Sequence, residues 1–116
     1  MIVQILENLL NNSIYWIQQQ KRLDPRFNPY ISVVIDTKAK EIRFADNGQG
    51  ISPNRRDEIF QPFVTTKPPG QGKGLGLYIS REVAKYNGGA LYLSEEHTAH
   101  SNKLNTFVFT LNAKDK

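Results

Sequence analysis

A two-layer α/β sandwich, an α/β (α+β) fold, is the architecture this sequence predicts, with a mixed sheet of about four or five strands and about three helices on one face. Three observations predict it. The chain opens on a long apolar stripe at helical spacing, β-rich runs occur as pairs in the middle and at the end, and glycine- and proline-rich breaks separate them. Those breaks supply the special backbone angles that turns and helix ends need.

The elements follow in order. Ile2, Ile5, Leu6, Leu9, Leu10, Trp16 and Ile17 recur along residues 2 to about 20 as one stripe of an amphipathic helix. The segment 22–29 breaks it, because Pro25 and Pro29 cannot continue a helix. Residues 30–35 are rich in β-branched side chains and residues 41–45 alternate apolar and polar. With residues 37–40 as the turn, they predict a hairpin. The second strand runs into the turn-forming cluster Asp46-Asn47-Gly48-Gln49-Gly50.

Ser52 as N-cap and Pro53 at the first helical position predict a short helix running into Ile59-Phe60-Gln61-Pro62-Phe63. Residues 67–74 read as an irregular loop. Residues 75–86 read as a further helix, with Leu75, Tyr78, Ile79, Val83 and Ala84 on one face. Asn87-Gly88-Gly89 ends it. Residues 90–94 and 106–111 are the last strands, and residues 95–105 form a polar loop between them. The terminal Lys114-Asp115-Lys116 is expected to fray.

Composition narrows the function classes. The 116 residues suffice for one domain, and 39% hydrophobic with 22% charged residues is the balance of an ordinary soluble domain. The chain has no cysteine, which excludes disulfides, thiolate nucleophiles and zinc–thiolate sites, and fits a reducing cytoplasm. The net charge of +4 comes from scattered basic residues with no run of five or six, so a solvated surface with some phosphate contacts is expected rather than nucleic acid. No apolar stretch is long enough to cross a bilayer, and Met1-Ile2-Val3-Gln4 lacks the basic start of a signal peptide.

Four segments carry chemistry. In Glu7-Asn8-Leu9-Leu10-Asn11-Asn12-Ser13, Asn8 and Asn12 are one helical turn apart on one face. A carboxamide oxygen there suits Mg²⁺ when phosphates bring the remaining charge. An asparagine face that merely meets water fits the same spacing. In Asp46-Asn47-Gly48-Gln49-Gly50-Ile51, a carboxylate at a strand end can accept from an exocyclic amine such as the N6 of adenine. The two glycines let backbone approach a flat ring, although the segment is also an ordinary Asp/Asn/Gly turn.

In Ile59-Phe60-Gln61-Pro62-Phe63-Val64-Thr65-Thr66-Lys67, two aromatics can anchor a segment that presents Thr66 and Lys67 to phosphate. As core residues the same two aromatics would satisfy the pattern equally. Gly70-Gln71-Gly72-Lys73-Gly74-Leu75-Gly76-Leu77 precedes a helix. Glycines there expose N–H groups to an anion, and Lys73 adds a point charge. The spacing is neither that of a Walker A loop nor that of a Rossmann fingerprint.

Taken in this order, the four segments resemble the N, G1, F and G2 boxes of the histidine-kinase ATPase (GHKL, Bergerat-fold) superfamily, which includes gyrase, heat-shock chaperone and mismatch-repair ATPases. The resemblance covers residues 4–107. Asn87-Gly88-Gly89 and Asn105-Thr106-Phe107 are similar to its later signatures.

By that resemblance Asn12 is the Mg²⁺ ligand and Asn8 lies near the phosphates. Asp46 takes the adenine amine, Gly48, Gly50 and Ile51 line the ring, and Thr106 sits near the adenine. Gly70, Gly72, Gly74, Leu75, Gly76 and Leu77 meet the phosphates through backbone N–H groups. Phe60, Thr66, Lys67 and Lys73 border the nucleotide on or beside an ATP lid of about residues 64–73. Asn8, Asn12 and Lys67 would carry the catalytic work.

Asn8 stands where the hydrolysing branch has a glutamate base, and a carboxamide cannot accept that proton. Glu7 is rotated by about 100° on the helix. The run from Phe60 to Lys67 also resembles histidine kinases more than gyrase. The resemblance therefore implies ATP and Mg²⁺ as cofactors and transfer of the γ-phosphoryl to a histidine. That histidine would lie on a separate dimerisation domain of a homodimeric parent, with a response regulator downstream. No contact with nucleic acid or membrane is expected of this domain itself, though the parent can be membrane-anchored. His97 and His100 lie in a polar loop and are not expected to be acceptors.

The family's domain normally begins with a strand and helix ahead of the first box, so an N-terminally truncated fragment of a larger protein is expected. A nucleotide-switched ATPase and a non-catalytic nucleotide-binding adaptor are the competing readings.

Overall fold

The computed structural model describes residues 2–48, 50–62, 76–96 and 103–111. The opening stripe forms one continuous helix, α1 (Ile2–Leu23), three residues longer than its periodicity predicts. Lys21, in its last turn, donates from Nζ to the carbonyls of Pro25 and Phe27 beyond its end, tying the following segment back to the helix.

Four strands follow: β1 (Ile31–Asp36), β2 (Glu41–Asp46), β3 (Ala90–Leu93) and β4 (Thr106–Thr110). The β1–β2 hairpin turns on Asp36, whose Oδ1 accepts from the N–H groups of Lys38 and Ala39, and on Lys40 at φ 56. The second long helix, α2 (Gly76–Tyr86), leads into β3. The expected C-terminal glycine is Gly88, at φ +83, with the Gly89 N–H bonded to Ala84 O and the Gly88 N–H to Lys85 O. This paired closure satisfies the last carbonyls of α2.

The sheet order is β1-β2-β4-β3. Every pairing among the described strands is antiparallel, which corrects the expected mixed sheet. β2 and β3 do run the same way and are joined through α2, but β4 inserts between them and pairs with both. The sandwich itself is as expected.

The register explains the core. Val33, Phe44 and Phe107 oppose one another across the sheet, as do Ile35, Ile42 and Phe109, with Leu93 and Leu91 completing the rows on β3. Facing residues share a side of the sheet. Ile5 and Leu9 of α1 and Ala84 of α2 pack onto that side in one cluster with Ile42, Phe44, Leu91, Leu93, Phe107 and Phe109. The rows thin out at β1: Val33 is 50% and Ile35 67% exposed, although they continue the buried rows.

On the opposite face Val108 is fully buried, flanked by Arg43 on β2 and Tyr92 on β3. Among the described residues, long side chains rather than helices flank Val108 on that face. Arg43 is held there by Glu41 and Glu96, both at 3.0 Å. The hydrogen bond with Glu41 raises its pKa most, against the opposing effect of burial and with help from the charge of Glu96.

The helix expected from Ser52 onward is replaced by two one-turn 3-10 helices, Pro53–Arg55 and Glu58–Phe60. Pro53 occupies the first position as predicted, but Ser52 does not cap; its hydroxyl accepts from Lys103 Nζ at 2.8 Å. Among the described residues of this segment only the adjacent pair Ile59 and Phe60 is buried, and two neighbours make no stripe that would support a longer helix.

Candidate functional site

α1 carries three side chains that reach three other parts of the molecule. At its first turns, Asn8 Nδ2 donates to Ser80 Oγ at 2.9 Å and to the carbonyl of Gly76 at 3.4 Å, joining α1 to the start of α2. One turn further, Ser13 Oγ donates to Asp46 Oδ2 at 2.6 Å. Ile17 then packs beside the turn after β2, with its Cγ2 3.6 Å from where a β-carbon on Gly48 would sit. The predicted first and second segments therefore meet along one side of α1. Asn12, half-buried, stands between Asn8 and Ser13 on that helix.

Asp46 is fixed from several directions. Its Oδ1 accepts the Gly48 N–H at 2.8 Å, and its backbone carbonyl accepts from Asn105 Nδ2, just ahead of β4. A β-carbon on Gly48 would come to 3.0 Å from Asp46 Oδ1, so a side chain there crowds the carboxylate. Gly50 sits at φ +77, and a β-carbon would meet Lys103 Cβ at 2.7 Å. Its freedom lets Ile51 form a bridge with Leu104, with two 2.7 Å hydrogen bonds.

Asn47 is not turned toward a ligand. Its side chain takes the Tyr30 N–H at 2.8 Å and donates to Asn28 O at 2.8 Å, tying the loop ahead of β1 to the end of β2.

The remaining predicted residues divide. Thr106 opens β4 opposite Ala45, beside Asp46 in register. Ile51 and Leu77 are half-buried against the core. Gly76 is exposed as the first residue of α2, whose opening N–H groups lack helical partners. Phe60 is a core residue at 4% exposure: Phe107 meets its ring edge-on and the Arg81 guanidinium lies 4.6 Å from its centroid. A core position of this kind is compatible with an anchoring role for Phe60 at the head of the segment that follows it. Thr66, Lys67, Gly70, Gly72, Lys73, Gly74 and Leu75, the lid of residues 64–73, and His97 and His100 lie outside the described residues.

Ser13, Ser80 and Asn105 are the site residues that carried no assigned role at the outset. Ser13 and Ser80 are buried hydroxyls on helix faces otherwise read as apolar or polar stripes. The available signal was a small polar residue inside an apolar stripe, since such a group needs a partner.

Among the described residues no cluster of three His, Asp or Glu forms a self-contained metal cage. The donor set here is carboxamide, as in Asn12. That chemistry fits Mg²⁺, which keeps few protein ligands and takes oxygens from bound phosphates.

An α/β sandwich, an aspartate clamped at a strand end and two asparagines on the helix beside it define one class of protein. The chain belongs to the histidine kinase-, DNA gyrase B- and HSP90-like ATPase family, whose model matches residues 1–115. Within that family it is similar to sensor histidine kinases. It is 33% identical to sporulation kinase D of Bacillus subtilis (strain 168) over 82% of this chain and 17% of that protein. It is 32% identical to the sensor protein FixL of Bradyrhizobium diazoefficiens over 99% of this chain and 21% of that one. Among solved structures, the catalytic domain of histidine kinase ThkA superposes with a TM-score of 0.67 at 28% identity, covering 96% of this chain and 65% of that one. The chain thus spans about a fifth of these curated relatives. No described helix is long and apolar enough to cross a membrane.

Proposed function

We propose that this chain binds ATP with Mg²⁺ and acts as the catalytic domain of a protein histidine kinase, presenting the γ-phosphoryl to a histidine on a separate domain of its parent. The observation that carries the reading is the clamped Asp46. A carboxylate held by Ser13 and the Gly48 N–H at a strand end offers its remaining lone pairs to an amine donor. An adenine so placed would extend its phosphates along α1 toward Asn12, Asn8 and the first turn of α2.

In that arrangement Asn12 would hold Mg²⁺ through its carboxamide oxygen, and the ion would offset phosphate charge. Asn8 cannot take a proton from water, and its amide is already committed to Ser80 and Gly76. It therefore serves to set the start of α2 against α1, which favours transfer to a partner over hydrolysis. Thr66, Lys67 and the glycines of residues 70–74 are assigned to phosphate contact by their family positions. The acceptor domain, a homodimeric parent, a response regulator and a cytoplasmic setting belong to the same proposal.

The test has two stages. Mg-ATP should raise the melting temperature of the chain, because a ligand that binds only the folded state stabilises it. Asp46→Asn should abolish that shift, and Asn12→Ala should remove its dependence on Mg²⁺. The chain mixed with labelled ATP and a histidine-bearing acceptor domain from a sensor kinase should then yield an acid-labile phosphoprotein. Steady hydrolysis without transfer would favour the nucleotide-switched ATPase. A shift with neither activity would favour the adaptor, and no shift at all would overturn nucleotide binding.

A further inference from the structure

We infer that Ser13 is a positioning residue that sets how strongly the site prefers a purine with an amino group over one with an oxo group at the same position. The inference rests on the reading of Asp46 as the base-recognising carboxylate. Ser13 is 1% exposed on the inward face of α1, and its hydroxyl lies 2.6 Å from Asp46 Oδ2. A contact this short between a hydroxyl and a carboxylate is charge-assisted, with the hydroxyl donating. An ionised carboxylate only accepts, so the direction of this bond is fixed.

The other oxygen, Oδ1, is held by the Gly48 N–H at 2.8 Å, and Asn105 holds the backbone carbonyl of the same residue. The carboxylate therefore cannot swing without losing Ser13. Removing Ser13 frees one oxygen and leaves the turn to hold the other.

That difference has a consequence for ligands. Toward an exocyclic amine, a held carboxylate is a ready acceptor that loses no rotational freedom on binding. Toward a ring oxo group it is an acceptor facing an acceptor, and it cannot turn away to relieve the repulsion. A loosened carboxylate binds the amine less well and tolerates the oxo group better. Ser13 thus acts on the ratio of the two affinities more than on either alone.

The test is calorimetric titration of the 116-residue chain with Mg-ATP and Mg-ITP, which differ at that ring position. The wild type should favour ATP by tenfold or more. Ser13→Ala, which removes one oxygen and suits a helix, should weaken ATP binding about 3- to 10-fold and lower the ATP-to-ITP ratio by at least about threefold. Ser13→Cys, with a weaker donor, should fall between, and it carries the test if Ser13→Ala does not fold. A general loss of packing would weaken both nucleotides alike and leave the ratio unchanged. An unchanged ratio in the folded variant, or equal binding of ATP and ITP by the wild type, overturns the role of Ser13. Failure of the wild type to bind either nucleotide overturns the nucleotide reading instead.

Discussion

Two glycines show how differently one residue type is used. A β-carbon on Gly89 would lie 2.1 Å from the backbone oxygen of Thr110, an approach no side chain can make unless the strand moves. On Gly76 the nearest atom would be Asn8 Cγ at 4.0 Å, an ordinary contact. Gly89→Ala should therefore cost about 3 kcal/mol, whereas Gly76→Ala should be neutral or stabilising by up to about 1 kcal/mol. Urea denaturation midpoints in the absence of nucleotide decide it; equal effects would show that close approach at Gly89 does not govern stability.

The sequence exposed the Gly88-Gly89 pair as a helix end, which is a local signal. It did not expose the contact with Thr110, which exists only once β3 and β4 pair. Ser13 is the same kind of case, a hydroxyl whose partner is Asp46, far along the chain. The turn from Asp46 to Gly48 was legible because its hydrogen bond closes within three residues, whereas the ties of Asp46 to Ser13 and Asn105 were not.

At the scale of elements, local rules succeeded where one segment satisfies itself. α1 and α2 follow from periodicity, and the hairpin from β-branched runs and a turn. They failed where neighbours decide. Ser52 and Pro53 are good helix starters, yet Lys103 takes the serine hydroxyl and, among the described residues there, only Ile59 and Phe60 are buried, so the backbone closes two tight turns instead. Strand direction was likewise undetermined by the alternation in residues 41–45, because alternation is the same in either orientation.

Burial along a strand was also hidden. Val34 and Val108 lie on the same face of the sheet, each opposite Arg43, but Val34 is 51% exposed on edge strand β1 and Val108 is fully buried on β4. Val108→Ala should lower stability by roughly 2 kcal/mol, and Val34→Ala by no more than about 0.5 kcal/mol. Comparable losses from thermal melts of the two variants would mean that β1 is covered in solution.

The whole molecule is arranged around α1. It contributes Ile5 and Leu9 to the core, Asn8 to the start of α2 and Ser13 to Asp46, so core residues and candidate site residues belong to one rigid rod. A rod held at several points keeps site residues in place without a ligand, which is the condition for preorganised recognition. The sheet order β1-β2-β4-β3 adds a different consequence. The last of the four described strands in chain order occupies an interior place, and β3 has no described partner without it. While the chain emerges from a ribosome, Leu91, Leu93, Ile42 and Phe44 must wait uncovered on one side until Phe107 and Phe109 appear. Folding then cannot advance strand by strand from the N-terminus; the nascent hairpin and α1 are held in suspense and completed in one late step. A chain stopped at residue 105 should accordingly show no cooperative unfolding transition, and a sigmoidal melt from it would refute that order of events.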